Sequence, residues 1–196
     1  MQNVPKFKGR ELNVESLRAH LLVAVPQLPD TNFYRTVVLM IQHDEEGAFG
    51  VVLNRPSEVT IADIWEKVTS HPCDRADPIN LGGPVQGPLL AVHTDVACAE
   101  NEIMSGVYLA SDRDYLEKLV QQRTHVFRIF SGYSGWGGGQ LEGELEAGGW
   151  LTTPATRNYI FGNDEDLWKT VAQNIGREIL FDKLNIRRAP RDPSMN

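Results

Sequence analysis

The stretch from Ser131 to Gly139 constrains the fold more than any other part of this chain, because five of its nine residues are glycine. Glycine tolerates a positive φ and lets another backbone approach where a Cβ atom would collide. The stretch follows the apolar run HVFRIF, which is typical of a strand, and it precedes QLEGEL. We therefore predict that it serves backbone shape and close packing under the ring of Trp136, with direct ligand contact as the second interpretation.

Three glycine-rich site motifs do not fit this stretch. A phosphate-binding P-loop needs a lysine after its second glycine, and Gly138 stands there instead. The dinucleotide motif G-x-G-x-x-G, started at Gly135, meets Gln140 at its sixth position. The nucleophile elbow G-x-S-x-G, started at Gly132, ends in Trp136.

The segment QLEGEL is compatible with either a helix or a strand. Its apolar and acidic residues alternate as in a strand, but Leu141 and Leu145 also lie one helical turn apart. A helix here would present a glycine-rich N-terminus of the kind that binds anions. Glu142 and Glu144 would already supply the negative charge that this helix end favours, so we predict a self-satisfied turn.

A serine hydrolase or transferase is the alternative hypothesis for the function. Ser131 or Ser134 could be the nucleophile, with His93 or His43 as the base. Such an enzyme requires the serine and the histidine to lie within hydrogen-bond reach.

Composition and charge narrow the classes of function. The 196-residue chain carries 26 acidic and 19 basic residues, a net charge of -7, which disfavours direct binding to nucleic acid. No apolar run approaches the roughly 20 residues that span a bilayer. We expect a soluble, cytoplasmic protein without a membrane contact. Two separate thiols are the favoured interpretation of Cys73 and Cys98, with one long-range disulfide as the alternative. No metal-binding or cofactor motif occurs.

Strands and helices are predicted to interleave without a regular βαβ rhythm. LLVAV reads as a strand, TVVLMIQ and AFGVVLN read as an antiparallel hairpin, and Gly50 marks a bulge or a close approach. VYLA is a further strand candidate. Leu81 to Val85 is predicted to be a turn that brings two elements together. A mixed sheet with helices on its outside fits this pattern best.

Four helices are predicted from capping residues and periodicity. Thr60 caps IADIWEKV, and a capping box of Ser111 and Asp114 precedes DRDYLEKLVQQR. Thr153, followed by proline, is predicted to start the helix PATRNYIF. The last helix, DEDLWKTVAQNIG, is predicted to end near Gly176.

Several polar residues have both a structural and a functional interpretation. His43 is expected at a solvated hairpin tip, with a catalytic or metal role as the exception. Arg55 follows Asn54 at the end of a strand and could grip a carboxylate or a phosphate with both of its terminal nitrogens. More often such an arginine pins a loop through backbone carbonyls, and Arg35 has the same two interpretations.

The order of five segments resembles the AlgH/YqgE family of uncharacterised bacterial proteins. They are VAVPQLPDTNFYRTVVLMIQHDEEGAFGVVLNRP, LGGPV, GYSGWGGGQLEGEL, GWLTTPA and LWKTVAQNIG. The resemblance implies a single α+β domain, with a bifurcated, mainly antiparallel sheet curled into a pseudo-barrel and flanked by helices. It also implies a helix at QLEGEL. Some members of the family are labelled as transcriptional regulators, and no catalytic residue or cofactor is established for it.

The resemblance sets the expected domain boundaries at residues 21–180. Residues 1–20 are then an N-terminal extension, and residues 181–196 a mobile tail. The sequence departs from the family at Ser134, where an alanine is usual, and after LGGPV, where an aromatic residue is missing. The first departure weakens the serine hypothesis.

The leading hypothesis is a non-enzymatic soluble domain that binds a protein partner or a small ligand, in transcriptional regulation. No catalytic residue, metal or cofactor is assigned. Trp136 is expected to be exposed beside the glycines. The candidate binding residues are Arg35, His43, Asn54, Arg55, Gly82, Gly83, Tyr133, Trp136, Gln140 and Glu142.

Overall fold

The structure, a computed structural model, describes residues 16–28, 30–68, 73–162 and 165–183. Its strands are β1 His20–Ala24, β2 Val37–Asp44, β3 Gly47–Val52, β4 Pro56–Thr60, β5 Pro78–Leu81, β6 Val85–His93, β7 Asn101–Met104, β8 Val107–Ala110, β9 Phe127–Gly137 and β10 Trp150–Pro154. Its helices are α1 Ile61–Val68, α2 Arg113–Gln121, α3 Gln140–Glu146, α4 Arg157–Phe161 and α5 Leu167–Lys183. No helix among the described residues is both long enough and apolar enough to cross a membrane.

The strands form one curled sheet that divides at β9. The main order is β10-β1-β2-β3-β9-β6-β8-β7, and β5 joins β9 from the side together with β4. Phe130 in the first half of β9 pairs with Leu90 of β6 and Asn80 of β5, whereas the second half pairs with β3 from Gly47 to Gly50. The β5–β9 pairing is parallel and the others in the described residues are antiparallel. The predicted single α+β domain, with a bifurcated, mainly antiparallel, curled sheet flanked by helices, is confirmed.

Alternation along the strands distributes the apolar side chains over both faces of the sheet. Leu21 and Val23 enter one cluster and Leu22 and Ala24 enter another. The first cluster collects residues from both arms of the sheet and from α4 and α5. On the opposite faces, α3 covers the β1–β3 arm, while α1 and α2 cover the arm of β6 and β9.

The backbones of β9 and of the segment after β5 touch directly where the sheet divides. Gly82 donates its N–H to the Ser131 carbonyl at 2.9 Å, and its own carbonyl accepts from the Val52 N–H at 2.8 Å. A Cβ atom on Gly82 would collide with the carbonyl oxygen of Gly132. Gly83 has φ +153°, and a Cβ atom added to it would likewise collide with the carbonyl group of Tyr133. The predicted close approach at Leu81–Val85 is confirmed, and we call this contact the fork.

The glycine-rich stretch is mostly strand and not a loop. β9 continues to Gly137, because β3 pairs with it on one side and Val85 of β6 pairs with Tyr133. The turn that remains is short, and Gly139, at φ +74°, is the N-cap of α3. The predicted helix at QLEGEL is confirmed. The predicted β2–β3 hairpin is also confirmed, with a shift of register opposite Gly50.

Two predicted helix starts were wrong by a few residues. Thr153 and Pro154 end β10, where they pair with β1, and α4 starts after Thr156, whose hydroxyl accepts from the Tyr159 N–H. Asp112, not Ser111, caps α2. Glu100 binds the hydroxyl and the N–H of Ser111 from another part of the chain, which sequence spacing does not reveal. The cap at Thr60 is confirmed.

The last helix is longer than predicted. α5 continues past Gly176 to Lys183, because one glycine costs a helix only about 1 kcal/mol and no proline follows at that point. The predicted tail 181–196 therefore begins within α5, and residues 184–196 lie outside the described residues. Most of the predicted N-terminal extension, residues 1–15, lies outside them as well. Cys73 and Cys98 are both free, as predicted.

Two glycine-to-alanine substitutions, one at the fork and one away from it, are expected to have opposite effects on stability. Gly82→Ala forces apart two hydrogen-bonded backbones, so we expect it to lower the free energy of unfolding by about 3 kcal/mol. Gly143→Ala lies inside α3, where an added Cβ meets nothing within 4 Å, and should raise it by roughly 0.5–1 kcal/mol. Urea unfolding of both variants measures this. Equal destabilisation by the two substitutions would contradict the role given to the fork.

Candidate functional site

The ten candidate residues fall into three groups. Gly82, Gly83 and Tyr133 belong to the fork, where Tyr133 packs edge-to-face on Phe49 at 5.4 Å between ring centroids. A second group, which we call the α3 cluster, consists of His43, Trp136, Gln140 and Glu142. A third group, the arginine patch, consists of Arg35, Asn54 and Arg55. The sequence-based candidates therefore do not form one continuous site.

His43 links three parts of the chain and is not a solvated tip. Its side chain is buried, and Nε2 lies 2.7 Å from Oε1 of Glu142. Nδ1 accepts a hydrogen bond from the Leu17 N–H at 3.0 Å, so the ring proton resides on Nε2 and is donated to Glu142. The Ser16 hydroxyl donates to the His43 carbonyl. The expectation of a solvated residue was wrong because the segment at 16–17 and α3 both pack over this end of β2.

The charge on Glu142 stabilises the start of α3. Partial burial raises the pKa of its carboxyl, but hydrogen bonds from its own backbone N–H and from His43 lower it by more, so the net pKa lies below its ordinary value. Gln140 accepts a hydrogen bond from the Gly137 N–H at 3.1 Å. The start of this helix is therefore supplied with an anion and an acceptor from its own side chains, which agrees with the predicted self-satisfied turn.

Trp136 is buried, and the expectation that it is exposed was wrong. Only 5% of it is accessible, because alternation along β9 points the ring towards α3. It stacks on Phe33 at 5.9 Å and meets Trp150 edge-to-face at 6.1 Å. Its indole N–H donates to Glu144 at 3.0 Å, and the indole N–H of Trp150 donates to the same carboxylate oxygen at 2.8 Å.

Sequence reasoning missed the role of Glu144 as the common acceptor of two tryptophans. Gln140 donates to its second carboxylate oxygen at 3.1 Å. The spacing of Trp136, Glu144 and Trp150 has no period that would have revealed this. The carboxylate thus satisfies two indole donors that are otherwise buried among apolar groups.

Glu144→Ala is expected to lower the free energy of unfolding by about 2–4 kcal/mol, since it leaves two buried indole donors without an acceptor. Glu146→Ala, on an exposed position of the same helix, is the matched control and should change it by less than about 0.5 kcal/mol. Denaturant titration followed by tryptophan fluorescence reports both. Similar values for the two variants would disprove the acceptor role.

The serines and histidines of the enzyme hypothesis are not assembled as nucleophile and base. Ser134 is fully buried and donates its hydroxyl proton to the Gly82 carbonyl at 3.1 Å. His43 is bonded to Leu17 and Glu142. In the part of the chain that the structure describes, neither Ser131 nor Ser134 is hydrogen-bonded to a histidine. Among those residues, no three side chains of His, Cys, Asp or Glu gather as metal ligands would.

His93 is fully buried at the end of β6, and its ring lies 6.0 Å from the ring of Tyr108 on the neighbouring strand β8. Neither ring nitrogen makes a well-formed hydrogen bond, although backbone groups of Asp95 and Leu109 lie near the ring. Burial lowers the pKa of His93 below its ordinary value, and the charges of Asp95 and Glu100 offset this only in part. The ring is therefore neutral at pH 7.

Stability should fall as the pH drops below about 6.5, the ordinary pKa of histidine. Because the pKa of His93 is lower in the folded state, the unfolded chain binds more protons there, and acidification favours unfolding by up to about 1.4 kcal/mol per pH unit. Glu142 does not add to this pH dependence near neutrality. Because its pKa is lowered in the folded state, it stabilises the protein above its ordinary value of 4.5, and that stability is lost as the pH falls further.

Unfolding free energies measured between pH 7.5 and 5.0 test this assignment. His93→Leu should reduce the dependence on pH, whereas Val92→Ala, a neighbouring core substitution without a titrating group, should lower stability and keep the dependence. An unchanged pH dependence in His93→Leu would show that other groups cause it.

The arginine patch is held by one amide side chain. Asn54 accepts the Val37 N–H at Oδ1 and donates from Nδ2 to the Arg35 carbonyl, both at 2.9 Å. Arg35 has a left-handed backbone at φ +52°, which is uncommon for a residue with a side chain. Its guanidinium carbon lies 5.2 Å from the ring centroids of Tyr34 and Trp168.

Arg55, which follows Asn54 directly, is half-buried. Burial lowers the pKa of its guanidinium, and the nearby charge of Asp30 offsets this in part. Within the described residues, neither Arg35 nor Arg55 donates a side-chain hydrogen bond or forms an ion pair. Sequence reasoning missed Tyr34 and Trp168. The first is adjacent to Arg35 and could have been noticed, but the second comes from α5.

Comparison with known proteins places the chain in a family. A family model described as AlgH-like matches residues 21–180. The chain belongs to the AlgH-like family. It is 39% identical over 171 residues to a UPF0301 protein of Xanthomonas campestris pv. campestris, which covers 83% of this chain and 91% of the relative. It is 37% identical over 183 residues to a UPF0301 protein of Chlorobium limicola, covering 90% and 94%.

Two solved structures share the fold of this AlgH-like chain. The solution structure of the AlgH protein from Pseudomonas aeruginosa matches with a TM-score of 0.71 and 27% identity, covering 94% of this chain and all of the other. A crystal structure of a protein from Corynebacterium diphtheriae matches with a TM-score of 0.67 and 25% identity, covering 84% and 90%. The family is uncharacterised, and the names of these relatives state no activity.

Proposed function

We propose that this AlgH-like protein is a non-enzymatic cytoplasmic domain that binds a protein partner or a small ligand through its arginine patch. The observation that carries the proposal is that the patch holds two guanidinium groups without a hydrogen-bond partner among the described residues. Arginine is well suited to recognise carboxylates and phosphates, because its planar group presents several donors in a fixed arrangement.

The hydrolase or transferase alternative has less support. A nucleophilic serine has to be exposed and close to its base, and Ser134 is fully buried against the Gly82 carbonyl. Of the two bases considered, His43 already pairs with Glu142, and His93 is enclosed in the core. Ser134 and His43 are thus engaged in hydrogen bonds that hold the fold together.

A role in transcriptional regulation would run through a partner or a ligand. The net charge of -7 opposes contact with a phosphate backbone, and Asp30 lies beside the patch. The basic residues Arg187, Arg188 and Arg191 of the tail lie outside the described residues. We therefore regard direct binding to nucleic acid as the weaker hypothesis.

A fluorophosphonate probe tests the non-enzymatic proposal. We expect no labelling of the wild-type protein above that of Ser131→Ala and Ser134→Ala, because no base activates either serine. Labelling that disappears in one serine variant and in His43→Ala or His93→Ala would establish the enzyme instead.

A thermal-shift screen over metabolites tests binding, since a ligand at 100 times its Kd stabilises by about 2.7 kcal/mol.

A further inference from the structure

Given a binding role for the arginine patch, which is the premise here, we propose that Tyr34, Arg35 and Trp168 are the contact point for a protein partner. The partner presents an acidic side chain next to an apolar one. We call the three residues the Arg35 cluster. Tyr34 and Trp168 thereby join the candidate site through their observed contacts with Arg35.

Arg35 lies against two aromatic rings. Its guanidinium carbon is 5.2 Å from the ring centroid of Tyr34 and 5.2 Å from that of Trp168. The Trp168 ring is itself held by its indole N–H, which donates to the Ala24 carbonyl at 2.8 Å. Cation–π attraction positions the guanidinium without giving its N–H groups an acceptor. Because no acceptor for them occurs among the described residues either, they are available to a carboxylate.

Two of the three side chains face the solvent. Tyr34 is 53% exposed and Arg35 is exposed as well, whereas Trp168 is half-buried against the core. Tyr34 therefore offers apolar ring surface close to the guanidinium. Side chains this exposed suit a protein partner better than a small molecule, whose sites are usually concave. Tyrosine, tryptophan and arginine are also the residue types that contribute most to protein interfaces.

The backbone of Arg35 is held in a conformation that glycine or asparagine adopts at lower cost. Its φ is +52°, in the left-handed region. Asn54 maintains it by accepting the Val37 N–H and donating to the Arg35 carbonyl, both at 2.9 Å. Strain of this kind is often found at functional sites. A fixed backbone also limits the entropy that is lost when a partner binds.

The charge of the whole chain restricts the chemistry of the partner. A net charge of -7 repels a strongly acidic surface, so a single carboxylate suits the cluster better than an acidic tract. That carboxylate would pair with the planar guanidinium of Arg35, and a neighbouring apolar side chain would cover the Tyr34 ring. A phosphorylated side chain would bring close to two negative charges against the same repulsion.

Nuclear magnetic resonance with short peptides tests the cluster. The blocked peptide acetyl-Gly-Phe-Glu-Gly-amide is titrated into the full chain at constant ionic strength. The readout is the indole N–H signal of Trp168, assigned by its loss in Trp168→Phe. We expect a saturable shift. Glutamine in place of the peptide's glutamate should weaken binding at least about tenfold, and alanine in place of its phenylalanine about threefold.

Two variants and one control assign these effects to residues. Arg35→Asn removes the guanidinium but tolerates the left-handed backbone, and it should weaken binding of the glutamate peptide at least about tenfold. Tyr34→Ala should abolish the advantage of phenylalanine over alanine in the peptide and keep that of glutamate over glutamine. Arg177→Gln, on an exposed part of α5, loses the same charge as Arg35→Asn and should bind as the wild type does.

Three results would each overturn the Arg35 cluster as a partner site. They are no shift with any peptide, equal binding of the glutamate and glutamine peptides, and equal weakening by Arg35→Asn and Arg177→Gln. Tighter binding of a phosphoserine peptide than of the glutamate peptide would also overturn the choice of a carboxylate. The proposed function is tested separately, by serine labelling and by the thermal-shift screen, so its failure is distinguishable from that of the cluster.

Discussion

The contact between two backbones at the fork is the constraint on which the rest of the structure depends. β9 has to pair with β6 and β5 over its first half and with β3 over its second, and Gly82 and Gly83 pass close against it where these pairings change. Side chains at those glycines would separate the arms. The same crossing fixes the arginine patch, since the Leu81 N–H donates to the Arg55 carbonyl at 2.8 Å.

The fork also explains why the α3 cluster is a packing device. Because β9 continues as a strand to Gly137, its alternation turns Trp136 towards α3, and the helix must then supply an acceptor for the indole. Glu144 does so for two tryptophans, and Glu142 accepts a hydrogen bond from the Nε2–H of His43. Glu142 and Glu144 are therefore engaged within the fold, whereas Glu146 of the same helix is exposed.

Local patterns were enough to predict the hairpin, most helices and the close approach at Leu81–Val85, because glycine, capping residues and alternation act over a few positions. The resemblance to a family added the bifurcated sheet, which no local pattern contains. Burial of Trp136, the acceptor role of Glu144 and the capture of Ser111 by Glu100 were not predictable, since each depends on residues from separate elements. The helix start predicted at Thr153 was wrong for the opposite reason. Threonine followed by proline is a good local signal for a helix start, but this segment pairs with β1 as a strand.

The charged groups differ in how the fold treats them, and this difference points to the candidate site. Two carboxylates of α3 accept hydrogen bonds from side chains of the protein itself, whereas the side chains of Arg35 and Arg55 have no hydrogen-bond or ion-pair partner among the described residues. Desolvating a cation without pairing it opposes folding, as does a left-handed arginine. Asn54 holds the backbone of Arg35, and Trp168, which also packs against the core, lies next to the Arg35 guanidinium. This contrast in hydrogen bonding is the basis of the binding role that we propose for the arginine patch.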